Sequence, residues 1–78
     1  MTRDEITRAI DAELSRALDK HGDASMSGAA MSPAQRYVVI GEECGEVARA
    51  LLDGDAVGLE EELTQVAACA IAWLGRLP

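Results

Sequence analysis

Three glutamates crowd five positions of the stretch "GEECGEVARALL". Glu42, Glu43 and Glu46 stand there beside Val39, Ile40, Cys44, Val47, Ala48, Leu51 and Leu52. Carboxylates avoid apolar company unless water, a basic partner or a metal ion compensates them. Further on, "EEELTQ" brings Glu60, Glu61 and Glu62, with Gln65 three residues after the last. Glu43 with Glu46, and Glu62 with Gln65, are each spaced i, i+3, so on helices both members of a pair project from one face. These side chains offer hard oxygen ligands with no Cys or His among them. Such donors select Mg²⁺, Mn²⁺ or Ca²⁺.

Other chemistry finds less support. Cys44 and Cys69 lie 25 residues apart in apolar stretches, and with His21 as the one histidine they match no zinc spacing. Neither cysteine has an identifiable base beside it. They read as small buried hydrophobes of a reducing compartment. Lys20, Arg36 and Arg49 are candidate phosphate contacts, each also readable as a surface charge. For Lys20 and His21 compensation of a helix C-terminus is the simpler reading. Tyr37 and Trp73 could stack on a base, although both fall on or beside apolar seams and read equally as core. "GDASMSGAAMS" is too irregular to be a phosphate-cradling glycine loop.

The composition narrows the classes. Fourteen acidic against seven basic residues give a net charge of −7, the opposite of what phosphate-backbone binding needs, so nucleic acid is not an expected partner. Hydrophobic residues make up 49% of the chain, yet phenylalanine is absent; Ala, Leu, Val and Ile suit close-packed helices. Seventy-eight residues make one domain, residues 1–78. The longest uncharged apolar run, "VAACAIAWLG", is half the ~20 residues that a membrane span needs. "MTRDEITR" is too charged for a signal peptide. A soluble, cytoplasmic protein is expected.

The elements that must position the acids are three helices. Thr2 with Glu5 makes a capping box, and Ile6, Ile10, Leu14, Ala17 and Leu18 then share one face. His21 and Gly22 form a common helix ending. Residues 22–32 have no usable period and read as a loop, mobile and near the mouth of a site. Ser32-Pro33 restarts the chain, and Gln35 completes a second capping box. Tyr37, Ile40, Cys44, Val47 and Leu51 then make a seam at alternating steps of three and four. "DGD" at 53–55 stops that helix. The third runs on Leu59, Leu63, Val66, Ala70, Leu74 and Leu77, with its acidic first turns favoured by the helix dipole.

A short turn makes the second and third helices antiparallel neighbours. Counted outward from Gly54 and Asp55, Glu46 should face Glu62 and Glu43 should face Gln65, two levels about 4.5 Å apart along the axis. Three carboxylates and an amide oxygen would then repel one another strongly unless a cation sits between them. The competing reading is a solvated acidic face, common on helices of acidic proteins.

"EECGE", followed after fifteen residues by "ELTQVAACAIAWL", resembles the MazG-like nucleotide pyrophosphohydrolases, whose signature is EExxE and then ExxD on the next helix. The likeness spans residues 36 to 75, with a looser echo in the first helix and "KHG". It implies an all-α protein working as a tight homodimer or homotetramer. It also implies Mg²⁺-dependent hydrolysis of a (deoxy)nucleoside triphosphate to monophosphate and pyrophosphate. By that likeness Glu43, Glu46 and Glu62 match metal-binding acids and Glu42 the leading glutamate. Glu42 is then the candidate general base for an attacking water. Gln65 stands where the family has Asp, and the fourth helix common in the family has no counterpart. The alternative is a non-catalytic helical oligomer of the same ancestry that binds a nucleotide or a protein partner.

The run "VAACAIAWL" is apolar on every side, and one neighbouring helix covers only one stripe of it. A three-helix protomer assembling through this helix into a bundle is therefore expected.

Overall fold

Each helix begins at the residues that cap it. The computed structural model describes residues 1–78 as α1 (Arg3–His21), a single 3₁₀ turn (Gly22–Ala24), α2 (Pro33–Leu52) and α3 (Ala56–Leu74), with no strand. The Thr2 hydroxyl accepts from the Glu5 amide while the Glu5 carboxylate accepts from the Thr2 amide, closing the first box. Those bonds hold the Glu5 carboxyl below its ordinary value. Ser32 and Gln35 do the same for α2, with Pro33 at the first helical position. Asp55 caps α3 by accepting from the Gly58 amide at 2.8 Å. Gly22 and Gly54 close the preceding helices at φ of 54° and 64°, where a Cβ would be strained.

α3 is the central element. It packs closely on α2 and on α1, whereas the backbones of α1 and α2 stay apart and the two helices face each other across a cavity. The core is thin: only seven residues are buried, and no side chain is fully enclosed. Ala50 of α2 and Ala68 and Ala72 of α3 are the buried helical apolar residues, so the helices meet through methyl groups. No helix is long and apolar enough to cross a membrane.

Two expectations need correction. The segment between α1 and α2 is not a loose connector, because Ser25, Met26 and Gly28 are buried. The Ala30 amide donates to the Asp23 carbonyl at 2.9 Å, and Gly28 lies against that same residue, where a Cβ would sit 2.3 Å from the carbonyl oxygen. Arg36 fixes the whole turn. Its Nη1 donates to the Met26 carbonyl and its Nη2 to the Gly28 carbonyl at 2.8 Å, and the residue is only 4% exposed.

The second correction concerns α2. Tyr37 and Leu51 of the expected seam are 72% and 63% exposed, and Cys44 is exposed rather than buried. The stripe turned inward is instead Arg36, Val39, Ile40, Glu43, Val47 and Ala50, which recurs at steps of three and four just as well. A helix with two apolar arcs has two candidate seams, and the one bearing charges was the inner one. On α3, Leu63, Ile71 and Leu74 likewise face outward, and Leu77 lies beyond the helix end.

Candidate functional site

Glu43 occupies the middle of the inner stripe of α2, so its carboxylate enters the protomer instead of leaving it. Against it comes Glu62 of α3. Glu43 Oε2 and Glu62 Oε2 are both shut off from solvent, and neither has a hydrogen-bond partner. Two ionised carboxylates offer each other no hydrogen; the contact becomes a hydrogen bond only when one of them is protonated. Burial, then the carboxyl of Glu62, then the charges of Glu62, Glu46 and Glu13 raise the Glu43 pKa to about 7. Glu43 therefore holds its proton far above the ordinary carboxylate range, as a carboxylate close to another does.

The expected pairing of levels is thus shifted. Glu43 meets Glu62 directly, where the count from the turn had put Glu46 opposite Glu62 and Glu43 opposite Gln65. Gln65 is half-buried and joins Glu43 in the wall of a cavity of about 260 Å³. Glu46 stays exposed on the flank, near enough for its charge to be felt at Glu43. No three His, Cys, Asp or Glu side chains are gathered closely enough to enclose an ion as they stand. The donor chemistry nevertheless fits a hard divalent cation, since it is all oxygen and two of its buried oxygens lack any partner.

α1 supplies what the sequence reading missed. Glu13, on the inner face of α1 beside Leu14 and Ala17, reaches the same cavity and raises the Glu43 pKa through its charge. Arg16, one turn further, donates from Nε to Glu13 Oε2 at 2.9 Å and from Nη2 to Glu13 Oε1 at 2.5 Å. This fork lowers the Glu13 pKa and raises that of Arg16. The signal was present in the sequence: Glu13 sits three after Ile10 and four before Ala17, inside the apolar register.

The remaining candidates divide by place. Glu42 is exposed and has no partner within the protein. Lys20 and Arg49 are exposed, and neither lines the cavity that Glu43 and Gln65 border. Arg36, placed among candidate phosphate contacts or surface charges, is buried with its guanidinium committed to backbone carbonyls. Trp73 is half-buried and Tyr37 points outward. The loop does border the cavity, through Ala24, Ser25, Met26, Ser27 and Met31.

Cys69 lies on the cavity wall as well. Burial, with the charges of Glu43 and Glu13, pushes its thiol up to about 11 from 9.0. A thiol reacts as thiolate, so Cys69 in a Cys44→Ser background should alkylate about 100-fold more slowly at pH 8 than in the urea-unfolded chain. Mass spectrometry of iodoacetamide-treated protein over time checks this; equal rates would place Cys69 in open water.

Comparison with family models, curated proteins and solved structures finds no match to the chain.

Proposed function

We propose that the protein is a Mg²⁺-dependent nucleoside triphosphate pyrophosphohydrolase, releasing monophosphate and pyrophosphate. The observation that carries this reading is the Glu43–Glu62 pair, with one buried oxygen of each carboxylate lacking any partner, beside a cavity that Glu43 and Gln65 line. Leaving such groups unsatisfied costs about 1–3 kcal/mol each, which structures accept mainly at functional sites. The resemblance of "EECGE" and "ELTQ" to MazG-like enzymes supplies the reaction class.

In this reading α2 and α3 run antiparallel, and Glu43, Glu62, Gln65 and the flanking Glu46 hold the ion (Mg²⁺ or Mn²⁺). When bound, it supplies charge neutralisation on the phosphate chain and a more acidic water. Glu42 takes the proton of the water that attacks the α-phosphorus; the bond to the bridging oxygen breaks, and pyrophosphate leaves with that electron pair. Gln65 contributes an amide oxygen without charge, which favours a second reading: a non-catalytic nucleotide-binding protein of the same ancestry. Incubation with a panel of nucleoside triphosphates and Mg²⁺, assayed for monophosphate and pyrophosphate, decides between them. Release of both products supports the enzyme; nucleotide binding without release supports the second reading.

Assembly belongs to the same proposal. The protomer exposes 5355 Å², whereas a monomer of its 8.2 kDa mass should expose ~4,500 Å². The surplus resembles the ~800 Å² that each partner of a standard interface covers. Exposed Tyr37, Leu51, Leu52, Leu63, Ile71 and Leu74 furnish an apolar surface. Gly41 and Gly45, inside α2 with open space before them, cost helix stability unless another backbone comes close. A homodimer or homotetramer is expected, and light scattering at micromolar concentration should return a multiple of 8.2 kDa. A protomer mass there would rule the assembly out.

A further inference from the structure

A site that binds a polyphosphate must overcome a difficulty specific to this chain. Its net charge is −7, and the proposed cation site is itself built of carboxylates. One divalent ion cannot neutralise both these acids and a triphosphate, so a fixed cation is needed on the open side. Of the seven basic residues, Arg36 is spent on the loop carbonyls, and Arg16 is the one Lys or Arg lining the cavity that Glu43 and Gln65 border. His21 lines it too, at the end of α1.

Arg16 is also unusually well aimed for an exposed arginine. Glu13 engages Nε and Nη2, which fixes the guanidinium plane and leaves Nη1 without a partner. The side chain is 51% exposed and so open to a ligand, while that of Glu13 is 19% exposed and anchored against the cavity. Arg16 also borders a second cavity between α1 and α3, beside Thr64, Glu60 and Glu61, so it is shared by both cavities. A planar fork suits phosphate oxygens better than a lysine does.

We infer that Arg16, oriented by Glu13, is the anion-binding residue of this cavity and takes the phosphate oxygens that lie away from the cation. The inference rests on the polyphosphate reading above. It makes Glu13 a positioning residue, not a metal ligand.

The test uses inorganic tripolyphosphate with Mg²⁺ as a probe of binding, independent of hydrolysis, alongside nucleotide kinetics. Arg16→Ala should weaken tripolyphosphate at least ~10-fold by calorimetry and raise KM equally with kcat little changed, the signature of lost binding. Arg16→Lys should restore part of the affinity. Glu13→Gln should weaken the probe about 3-fold, and adding it to Arg16→Ala should cost nothing more, because it acts through the arginine. Mg²⁺ affinity and melting temperature should stay near wild type in the Arg16 variants.

Tripolyphosphate binding unchanged in Arg16→Ala overturns the inference even if the wild type hydrolyses nucleotides. Additive losses, with Mg²⁺ weakened in Glu13→Gln, overturn it by making Glu13 a ligand of the ion. Arg16-dependent binding in a protein that hydrolyses nothing upholds the inference and removes the enzyme. A wild type that neither binds tripolyphosphate nor hydrolyses any nucleotide removes both.

Discussion

Glu43→Gln should make the metal-free protein more stable and, on the proposed reading, abolish Mg²⁺-dependent hydrolysis. In the fold Glu43 keeps its proton up to about pH 7, whereas in the unfolded chain it titrates near 4.5. Between those values the folded state binds more protons, so stability is fully present below pH 4.5 and is lost as pH rises through 7. A displacement of that size would carry ~3 kcal/mol in an enclosed site; screening on the solvent side brings it to about 1–2 kcal/mol. Glutamine mimics the protonated carboxyl, so the variant should melt roughly 5–10 °C above wild type at pH 8. The gap should close on acidification to pH 4.5. Its hydrolysis should fall beyond the ~10–100-fold typical of losing a ligand's outer partner. Melting curves from pH 4 to 9 without metal, with initial rates at saturating Mg²⁺, measure both. Identical curves for variant and wild type would mean that the pair is open to water.

Arg36→Ala should be the most damaging single change outside the acidic site. Hydrogen bonds from a charged group contribute ~1.5–3 kcal/mol each, and Arg36 makes two to the Met26 and Gly28 carbonyls. Some of that returns as the carbonyls reach water, leaving a loss of about 3 kcal/mol, or ~12–24 °C in a domain of this size. Arg36→Lys should recover less than half, because an ammonium cannot reproduce the fork. Calorimetric melting gives the size, and hydrogen exchange at the Gly28 and Ala30 amides gives the place. A variant that melts like wild type yet binds nucleotide poorly would return Arg36 to the phosphate contacts.

What could be read in the sequence was local. Thr2 with Glu5, Ser32 with Gln35, and the glycines at 22 and 54 act within four residues of themselves, so their signals survive without tertiary knowledge. The choice between the two arcs of α2 was not local. Tyr37, Cys44 and Leu51 formed the purer apolar period, and only α3 and the loop decide that the arc holding Arg36 and Glu43 turns inward. For the same reason Glu43, Glu46, Glu62 and Gln65 were recognisable as a group, while the pairing of Glu46 with Glu62 and Glu43 with Gln65 gave way to Glu43 against Glu62. Glu13 and Arg16 were passed over because a single carboxylate in an amphipathic helix resembles any other until the opposite wall of the cavity is known. The turn at 22–32 has no periodic signal at all; its order comes from a side chain eight to ten residues further on.

The separation of the α1 and α2 backbones bears on local stability. Everything that α1 contributes to the acidic pocket, Glu13 and Arg16 included, is carried by its seam with α3 and by the turn that follows it. α1 is therefore expected to be the element held by the fewest backbone neighbours, with α2 and α3 the more firmly packed pair. In such a structure exchange protection is unequal: amides of α1 should open at lower free energy than those of α2 and α3, as one cooperative unit. On the proposed reading, a ligand that bridges Arg16 on one side to Glu43 on the other should raise the protection of α1 more than that of α2 and α3.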